Sequence, residues 1–400
     1  MEKVKFLFVR LVFFSGIYCL MGCSSYSHND AGPIIADDFY AVCQESMQQQ
    51  LIEIVNHEVN QNQIPGIAIA FQLRGGEVVF LNHGYTQSVG SQKISEHSFF
   101  AIGSITKGFT AEYMAMLVQN GLFEWSDKLS ELDLDVELSA DAKNITLEQL
   151  VSHTSGLPRQ VNDRLMLFDL ARYILTGKQF YNRLDSGRDF QYLSEFKKEK
   201  DDVIRYSNLG YSILDKVITR WTGMSVDAGI DLHLLKTLRM TETTFNPESN
   251  KLYAVRAIGH AGDQPKFVSR GSQVPEWKFH NYMIGAASLW STSADLIHYA
   301  IAHYDDKTPH KIKHAFDDSL KIRRVGGNEF NAALGWQVED VRGHRFFYQS
   351  GFVAGYSSYI AVDPVGKNAI VVLKNSFNWS NGIGHKMMYR MALKNKYKCD

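Results

Sequence analysis

The pattern of apolar and polar positions divides the chain into strand-like ends and a mainly helical middle. Near the beginning, apolar residues recur at helical spacing over about 39–60, and two apolar runs at 67–74 and 77–85, joined by a Gly-Gly turn, predict a β-hairpin. Between about 105 and 284 most of the pattern is helical. Three more strand-like runs and a last helical pattern follow, at 344–349, 356–362, 368–374 and about 380–394. The sequence therefore predicts an α+β protein with one sheet built from both ends of the chain and an inserted, mainly helical subdomain.

The first residues predict export. Cations at positions 3, 5 and 10 precede an apolar run over 11–21, which is too short to span a bilayer as a permanent helix and is typical of a secretory signal. The run ends in Leu-Met-Gly-Cys, which resembles a bacterial lipoprotein box with Cys23 as the acylated residue. We therefore expect a signal peptide over 1–22, a tether over 23–37 and a lipid anchor in a membrane, facing the periplasm or cell surface. Ser24 favours the outer membrane, and an ordinary signal peptide with Cys23 incidental is the alternative.

Composition and cysteine content add two constraints. A formal net charge of −1 and 45% hydrophobic residues over 400 positions are typical of a globular protein and give no reason to expect a nucleic-acid partner. Export would leave Cys43 and Cys399 in the mature chain, in a compartment where disulfides persist. We place the folded domain of this chain at 38–398. A bond between these two cysteines and two free thiols are both compatible with the sequence.

A Ser-x-x-Lys segment, from Ser104 to Lys107, is the first candidate for chemistry. It opens an amphipathic helical pattern that runs to Gly121, a residue suited to a C-terminal cap. Positions i and i+3 share a helix face, so the hydroxyl and the amine can meet. A lysine with a pKa depressed by burial can then take the proton of the serine and make it a nucleophile. Alone the pattern is weak, because a serine often caps a helix and Ser194 and Lys197 have the same spacing.

Two further segments supply groups that a nucleophilic serine needs. The first is Tyr206-Ser207-Asn208, in which a phenol beside a lysine can relay protons and an amide can hold a substrate carbonyl. The second is Gln349-Ser350-Gly351-Phe352. There a strand edge at a glycine lets substrate lie alongside, and a backbone N–H can complete an oxyanion hole with that of the serine.

Together these segments resemble the serine β-lactamase and penicillin-binding-protein-like family, in its branch of class C β-lactamases, D-alanyl-D-alanine carboxypeptidases and esterases. The similarity covers about residues 43–395 and includes the segments 145–158, 285–295, 334–338, 351–356 and 363–364. The resemblance implies a β-lactamase/transpeptidase-like fold with an antiparallel sheet flanked by helices. Its α/β part would comprise about 38–104 and 285–398 and its helical part about 105–284, with the site between them.

The resemblance also implies a role for each motif residue. By position these are Ser104 as nucleophile, Lys107 as its general base, Tyr206 as proton relay and deacylation partner, and Asn208 as substrate orienter. Ser350 and the N–H of Phe352 complete the oxyanion side, and Gly351 lets substrate lie along the strand edge. The family usually has Lys or His where this chain has Gln349. A neutral amide cannot supply the positive charge that binds a substrate carboxylate and depresses the lysine pKa, so the departure favours a neutral ester or amide. Arg205 and Arg345 are candidates for a compensating cation.

The implied reaction is acyl transfer on a small-molecule ester, amide or peptidoglycan-derived substrate. We rank an esterase or amidase first, a D-alanyl peptidase second and a β-lactam hydrolase third. The alternative is a cell-envelope lipoprotein that kept the fold, lost turnover and binds peptidoglycan or a protein. No zinc-ligand spacing or nucleotide fingerprint is present, so we expect no metal and no cofactor. His153 is expected to be a structural loop residue that satisfies backbone groups.

Overall fold

The computed structural model describes residues 47–62, 64–161, 164–179, 186–199, 204–279, 283–326, 331–341, 343–379 and 382–396. Within them the strands are β1 Gly66–Gln72, β2 Val78–Gly84, β3 Phe100–Ala101, β4 Trp290–Ser291, β5 Asn331–Ala332, β6 Gln337–Val341, β7 His344–Val353, β8 Tyr356–Asp363 and β9 Asn368–Lys374. Seven of these strands form one sheet in the order β2-β1-β9-β8-β7-β6-β5. Every neighbouring pair in it is antiparallel. The prediction of an antiparallel sheet built from both ends of the chain is therefore confirmed.

Helices cover both faces of the sheet. In chain order they are α1 Met47–Asn62, α2 Thr106–Gln119, α3 Ala140–Lys143, α4 Leu147–Val151, α5 Arg164–Thr176, α6 Ser186–Glu195, α7 Asn208–Thr222, α8 Val226–Ile230, α9 Ile284–Ala287, α10 Ser293–Ala302, α11 His310–Ser319 and α12 Gly382–Lys396. α1 and α12 pack on one face of the sheet, whereas α10 packs on the other.

Strand β1 shows why the strands have almost continuous apolar runs. Ile67, Ile69 and Phe71 point into the core beneath α1 and α12, whereas Ala68 and Ala70 point into the larger core on the opposite face. A strand that is buried on both faces needs apolar residues at every position rather than at alternate ones. β8 and β9 have the same character, since each of their residues is buried. The sheet is thus a rigid inner layer on which the site is built.

Helix α2 differs from the amphipathic helix that the sequence predicts. Its residues from Thr106 to Leu117 are all buried. The Glu112 side chain is 0% exposed, and its carboxylate lies 2.8 Å from His303 Nε2 and accepts a 2.8 Å hydrogen bond from the Tyr299 hydroxyl. The polar side chain of Glu112, which in the sequence indicated a solvent-facing side of α2, therefore finds its hydrogen-bond partners inside the protein. Gly121 follows the helix with a φ of +74°, as expected for a residue just beyond a helix end.

Other expectations meet different outcomes. Much of the middle is less helical than predicted, because between 236 and 279 the described chain forms only short 3₁₀ turns at Pro247–Ser249 and Lys251–Val255. In the described part of the chain, no helix has both the length and the apolar character needed to cross a membrane. Cys23, Cys43 and Cys399 lie outside the described residues, so the lipid anchor and the disulfide stay predictions.

Candidate active site

Ser104 lies in a 3₁₀ turn, Gly103–Ile105, immediately before α2. Gly103 has a φ of +52°, and a Cβ at this position would come within 3.0 Å of the Phe352 backbone nitrogen on β7. The Thr106 hydroxyl fixes the turn, because it donates a 2.7 Å hydrogen bond to the Gly103 carbonyl and accepts one of 3.2 Å from the Leu289 N–H. The residue preceding α2 is Ile105, so Ser104 is not the helix cap. Its hydroxyl is held against the sheet edge and remains available for chemistry.

Lys107 meets Ser104 as the i, i+3 spacing predicts. Its Nζ lies 3.2 Å from Ser104 Oγ and donates a 2.8 Å hydrogen bond to the Ala286 carbonyl. The side chain is 2% exposed. Burial lowers the pKa of Lys107 well below its ordinary value, the positive charge of Arg159 lowers it further, and the carboxylate of Asp215 partly opposes both. A neutral amine in this position carries a lone pair that can accept the serine proton.

Tyr206 completes the contact set around the serine. Its hydroxyl donates a 2.6 Å hydrogen bond to Ser104 Oγ, and its ring centroid lies 4.9 Å from Lys107 Nζ. The side chain is half-buried rather than directed into bulk water. Asn208 begins α7 two residues later and is 4% exposed, and its Oδ1 accepts no hydrogen bond from the described residues. A buried acceptor of this kind is costly, and a substrate N–H would satisfy it.

His153 has the structural role that the resemblance implies. Its backbone has a φ of +61°, its carbonyl accepts a 2.7 Å hydrogen bond from the Arg205 N–H, and its Nδ1 accepts one of 3.1 Å from the Ser207 N–H. Its pKa is lowered well below the ordinary value, first by burial and then by Lys107 and Arg159. The neutral ring packs 4.5 Å from the Tyr206 ring. It therefore supports the segment that carries Tyr206.

Strand β7 presents an open edge to the nucleophile. Its pairing with β6 ends at Tyr348, whereas its pairing with β8 continues to Val353 opposite Tyr356. Because Val353 closes a two-residue hairpin, the alternation of an antiparallel ladder turns the N–H of the preceding residue, Phe352, away from β8. That N–H lies on the side of Gly103 and Ser104. The N–H of Phe352 can therefore serve as a second oxyanion-hole donor, beside the N–H of Ser104.

The other residues of this motif have distinct surroundings. A Cβ on Gly351 would lie 2.0 Å from the Ile102 carbonyl oxygen, so only glycine fits there. Gln349 is 5% exposed, and neither its Oε1 nor its Nε2 has a hydrogen-bond partner among the described residues. Its amide packs against Gly108, one residue beyond Lys107. Ser350 is half-buried, like Phe352.

The sequence of the chain matches the model of a known protein family. The family model described as Beta-lactamase matches residues 49–387. The chain belongs to the beta-lactamase family.

Two relatives are similar to this chain in sequence. It is 29% identical over 337 residues to "Protein flp" of Staphylococcus aureus strain N315, which covers 82% of this chain and 63% of that protein. A Providencia stuartii beta-lactamase is 23% identical over 360 residues, covering 82% of this chain and 87% of the enzyme. The chain thus spans less than two thirds of the length of the flp relative.

Two solved structures have the same fold. A class C beta-lactamase from Rhodobacter sphaeroides superposes with a TM-score of 0.71 at 16% identity, covering 87% of this chain and 99% of that one. A beta-lactamase/D-alanine carboxypeptidase from Pseudomonas syringae gives a TM-score of 0.72 at 18% identity, covering 88% and 100%. The β-lactamase/transpeptidase-like fold implied by the motifs is therefore confirmed.

Some residues of this beta-lactamase-family site were not found from the sequence. Arg159 has its guanidinium carbon 4.9 Å from the Tyr206 ring centroid, and Asp215 accepts hydrogen bonds of 3.2 and 3.1 Å from the Gly285 N–H. The sequence feature that could have identified Arg159 is its position directly after the Ser-Gly-Leu-Pro segment. No such feature marks Asp215 in its helical pattern, because its role depends on the distant segment that it contacts. In the described ranges no cluster of His, Cys, Asp and Glu is arranged to hold a metal ion.

Proposed function

We propose that this chain is a serine hydrolase that forms an acyl-enzyme on Ser104 and acts on a neutral ester or amide. One observation carries the proposal: Ser104 Oγ lies 3.2 Å from the buried Lys107 Nζ and 2.6 Å from the Tyr206 hydroxyl. A serine needs a base in hydrogen-bond contact before it becomes a nucleophile, and both groups are within that reach.

The reaction follows from the positions of these groups. Neutral Lys107 accepts the proton of Ser104 as its oxygen attacks the substrate carbonyl. The N–H groups of Ser104 and Phe352 stabilise the oxyanion, and the Tyr206 hydroxyl, recharged by the lysine, protonates the leaving group. Water then attacks the acyl-enzyme and gives a proton to the Tyr206 oxygen while the phenol passes its own proton to neutral Lys107. When the tetrahedral intermediate collapses, Lys107 returns that proton to the departing Ser104 oxygen, which releases the acid and restores the free enzyme. Each step transfers one proton within the Ser-Lys-Tyr set, so no cofactor is required.

The preference for a neutral substrate follows from the segment Gln349-Ser350-Gly351-Phe352. Gln349 offers an amide NH₂ donor group and a carbonyl acceptor, neither of which has a hydrogen-bond partner among the described residues, and it carries no charge. It therefore suits a carbonyl or amide better than a carboxylate. Three residues further along β7, the Phe352 ring packs 5.6 Å from Phe377 and 5.5 Å from Trp379, which are 4.8 Å from each other. Such an aromatic cluster favours apolar groups. Both features favour an ester or amide with an apolar group over a D-alanyl peptide or a β-lactam.

One labelling experiment tests the proposal. The mature protein is incubated separately with a fluorophosphonate and with a fluorescent penicillin, next to Ser104→Ala and the matched control Ser194→Ala. Ser194 precedes a lysine by the same spacing, but its hydroxyl donates to the Gln191 carbonyl and contacts no lysine in the described part of the chain. We expect fluorophosphonate labelling that is lost in Ser104→Ala and retained in Ser194→Ala, with weak or absent penicillin labelling. Labelling by neither probe would favour the inactive, binding lipoprotein, whereas strong penicillin labelling would reverse the substrate order.

We also propose that the hydrolase is a lipoprotein of the outer membrane, on the basis of the segment that ends at Cys23. Metabolic labelling with a palmitate analogue is expected to modify the wild-type chain and not Cys23→Ser. Equal labelling of both, or release of the wild type as a soluble protein, would contradict the anchor.

A further inference from the structure

The site has a neutral residue where a cation is usual in this family, and the structure offers three arginines as replacements. Arg345 is exposed on β7 opposite Asp340. Arg205 is exposed and donates a 3.3 Å hydrogen bond to the Gly156 carbonyl. Arg159, by contrast, stacks its guanidinium on the Tyr206 ring at 4.9 Å. Of these three, Arg159 contacts a residue that touches the nucleophile.

The backbone of Arg159 is fixed to the segment that carries the site. Its carbonyl accepts hydrogen bonds from the N–H groups of Asn208 at 2.9 Å and Leu209 at 3.2 Å. The preceding carbonyl, of Pro158, accepts a 2.8 Å bond from the Ser207 hydroxyl. Tyr206 and Arg159 are therefore positioned by the same turn. The Arg159 side chain is half-buried, and in the described part of the chain no carboxylate forms an ion pair with it.

We propose that Arg159 is a positioning residue for the Ser104 reaction, and that its guanidinium supplies the positive charge that Gln349 does not. The inference rests on the proposed hydrolase function. Arg159 acts through Lys107, whose protonated form it repels because both groups lie over the Tyr206 ring.

The geometry explains the effect on Lys107. Arg159 Cζ and Lys107 Nζ each lie 4.9 Å from the Tyr206 ring centroid, which places them at most about 10 Å apart. An arginine stays charged at any accessible pH, so the lysine is the group that loses its proton. Burial is the larger cause of the lowered pKa of Lys107, and Arg159 is the second.

Other groups around Lys107 do not replace this charge. Tyr206 and Tyr211 present their rings to Nζ at 4.9 and 5.3 Å, and His153 is neutral because its pKa is lowered. Asp215 has the opposite sign and favours the protonated lysine. At about 10 Å and an effective dielectric constant near 20, one charge changes the pH at which a neighbouring group titrates by about one unit. Removing the charge of Arg159 should therefore displace the pH dependence of acylation by about that amount.

The test measures the second-order rate of fluorophosphonate labelling between pH 5 and 10 for wild type, Arg159→Gln, Arg159→Lys and the control Arg205→Gln. For Arg159→Gln we expect the acidic limb to move up by about one pH unit, with the rate at high pH within a few-fold of wild type. Arg159→Lys, which keeps the charge, and Arg205→Gln should retain the wild-type limb. A thermal melt checks that each variant folds, and Arg159→Met replaces Arg159→Gln if the latter does not.

The outcomes separate the two proposals. An unmoved acidic limb in the neutral variants, or an equal loss of rate at every pH, would overturn the role of Arg159 while leaving the hydrolase intact. A wild-type protein that is not labelled at any pH would instead overturn the hydrolase itself. An upward shift that Arg159→Lys also shows would mean that shape rather than charge matters, and would overturn the proposal as well.

Discussion

Asp215 provides a test of the site's electrostatics that uses stability rather than activity. The residue lies on α7, and its two carboxylate oxygens share one bifurcated hydrogen bond from the Gly285 N–H. The next carbonyl, of Ala286, accepts the hydrogen bond from Lys107. Burial raises the pKa of Asp215 from 3.8 to about 7, while the bond from Gly285 and the charge of Lys107 act in the opposite direction. The perturbation is Asp215→Asn, which keeps an acceptor for Gly285 and removes the titration.

The sign of the effect follows from proton binding. Between about pH 4 and 7 the folded protein holds a proton on Asp215 that the unfolded chain has released. Stability therefore falls as the pH rises through this window and levels off above about 7. A rise from 3.8 to about 7 corresponds to about 4 kcal/mol at full burial. Because the residue is only partly buried, solvent screening reduces this figure, and we expect about 1–3 kcal/mol between pH 5 and 8.

Urea denaturation at pH 5 and pH 8 measures the difference. Asp215→Asn should lose about 1–3 kcal/mol less stability than wild type over this interval. The comparison isolates Asp215, since both proteins keep Lys107 and His153. Asp231→Asn is the matched control, because Asp231 is 47% exposed and pairs with Lys236 at 2.7 Å on the surface. Equal losses in wild type and Asp215→Asn would refute the assignment of a raised pKa to this carboxyl group.

Three further predictions concern the site itself. Lys107→Met should reduce the rate of Ser104 labelling by about 10²–10⁴-fold without lowering the melting temperature, because it removes the base and a buried amine together; a rate within ten-fold of wild type would argue against Lys107 as the base. Gly351→Ala should destabilise the protein by about 1–3 kcal/mol in urea denaturation and abolish labelling, since its Cβ would meet the Ile102 carbonyl oxygen at 2.0 Å. Gly210→Ala, whose nearest neighbour is 3.5 Å away, is the control and should remain near wild type. Phe352→Ala should lower the kcat/KM preference for aromatic over acetyl esters by about ten-fold, roughly 1.4 kcal/mol, and an unchanged ratio would exclude the aromatic cluster from substrate binding.

The parts of the fold that the sequence predicts are those set by local pattern. The hairpin of β1 and β2, the last two strands and the start of α7 follow from alternation, turns and helical spacing. Strand β7 is longer than predicted, reaching Val353 rather than ending at 349, because Gly351 marks a close approach to Ile102 instead of a break. The expectation of a solvent-facing side on α2 is wrong for a similar reason. Glu112 is hydrogen-bonded to Tyr299 and His303, which lie 187 and 191 residues away in the sequence. Tertiary contacts of this kind leave no periodic signal.

The features of the site likewise divide into those that local sequence predicts and those that depend on tertiary contacts. Ser104 and Lys107 lie one helical turn apart, so their meeting is a property of local geometry that a sequence can predict. The protonation state of the lysine is not local. It depends on Arg159 and Asp215, which approach from different segments with charges of opposite sign. If both inferences hold, Arg159→Gln moves the acidic limb of Ser104 labelling upward. Asp215→Asn moves it downward where the limb lies above about pH 7, because the carboxyl group carries its charge there, and the double variant then lies between the two single variants. A motif can therefore identify the nucleophile, but the pH at which it acts is set by the fold that brings these charges together.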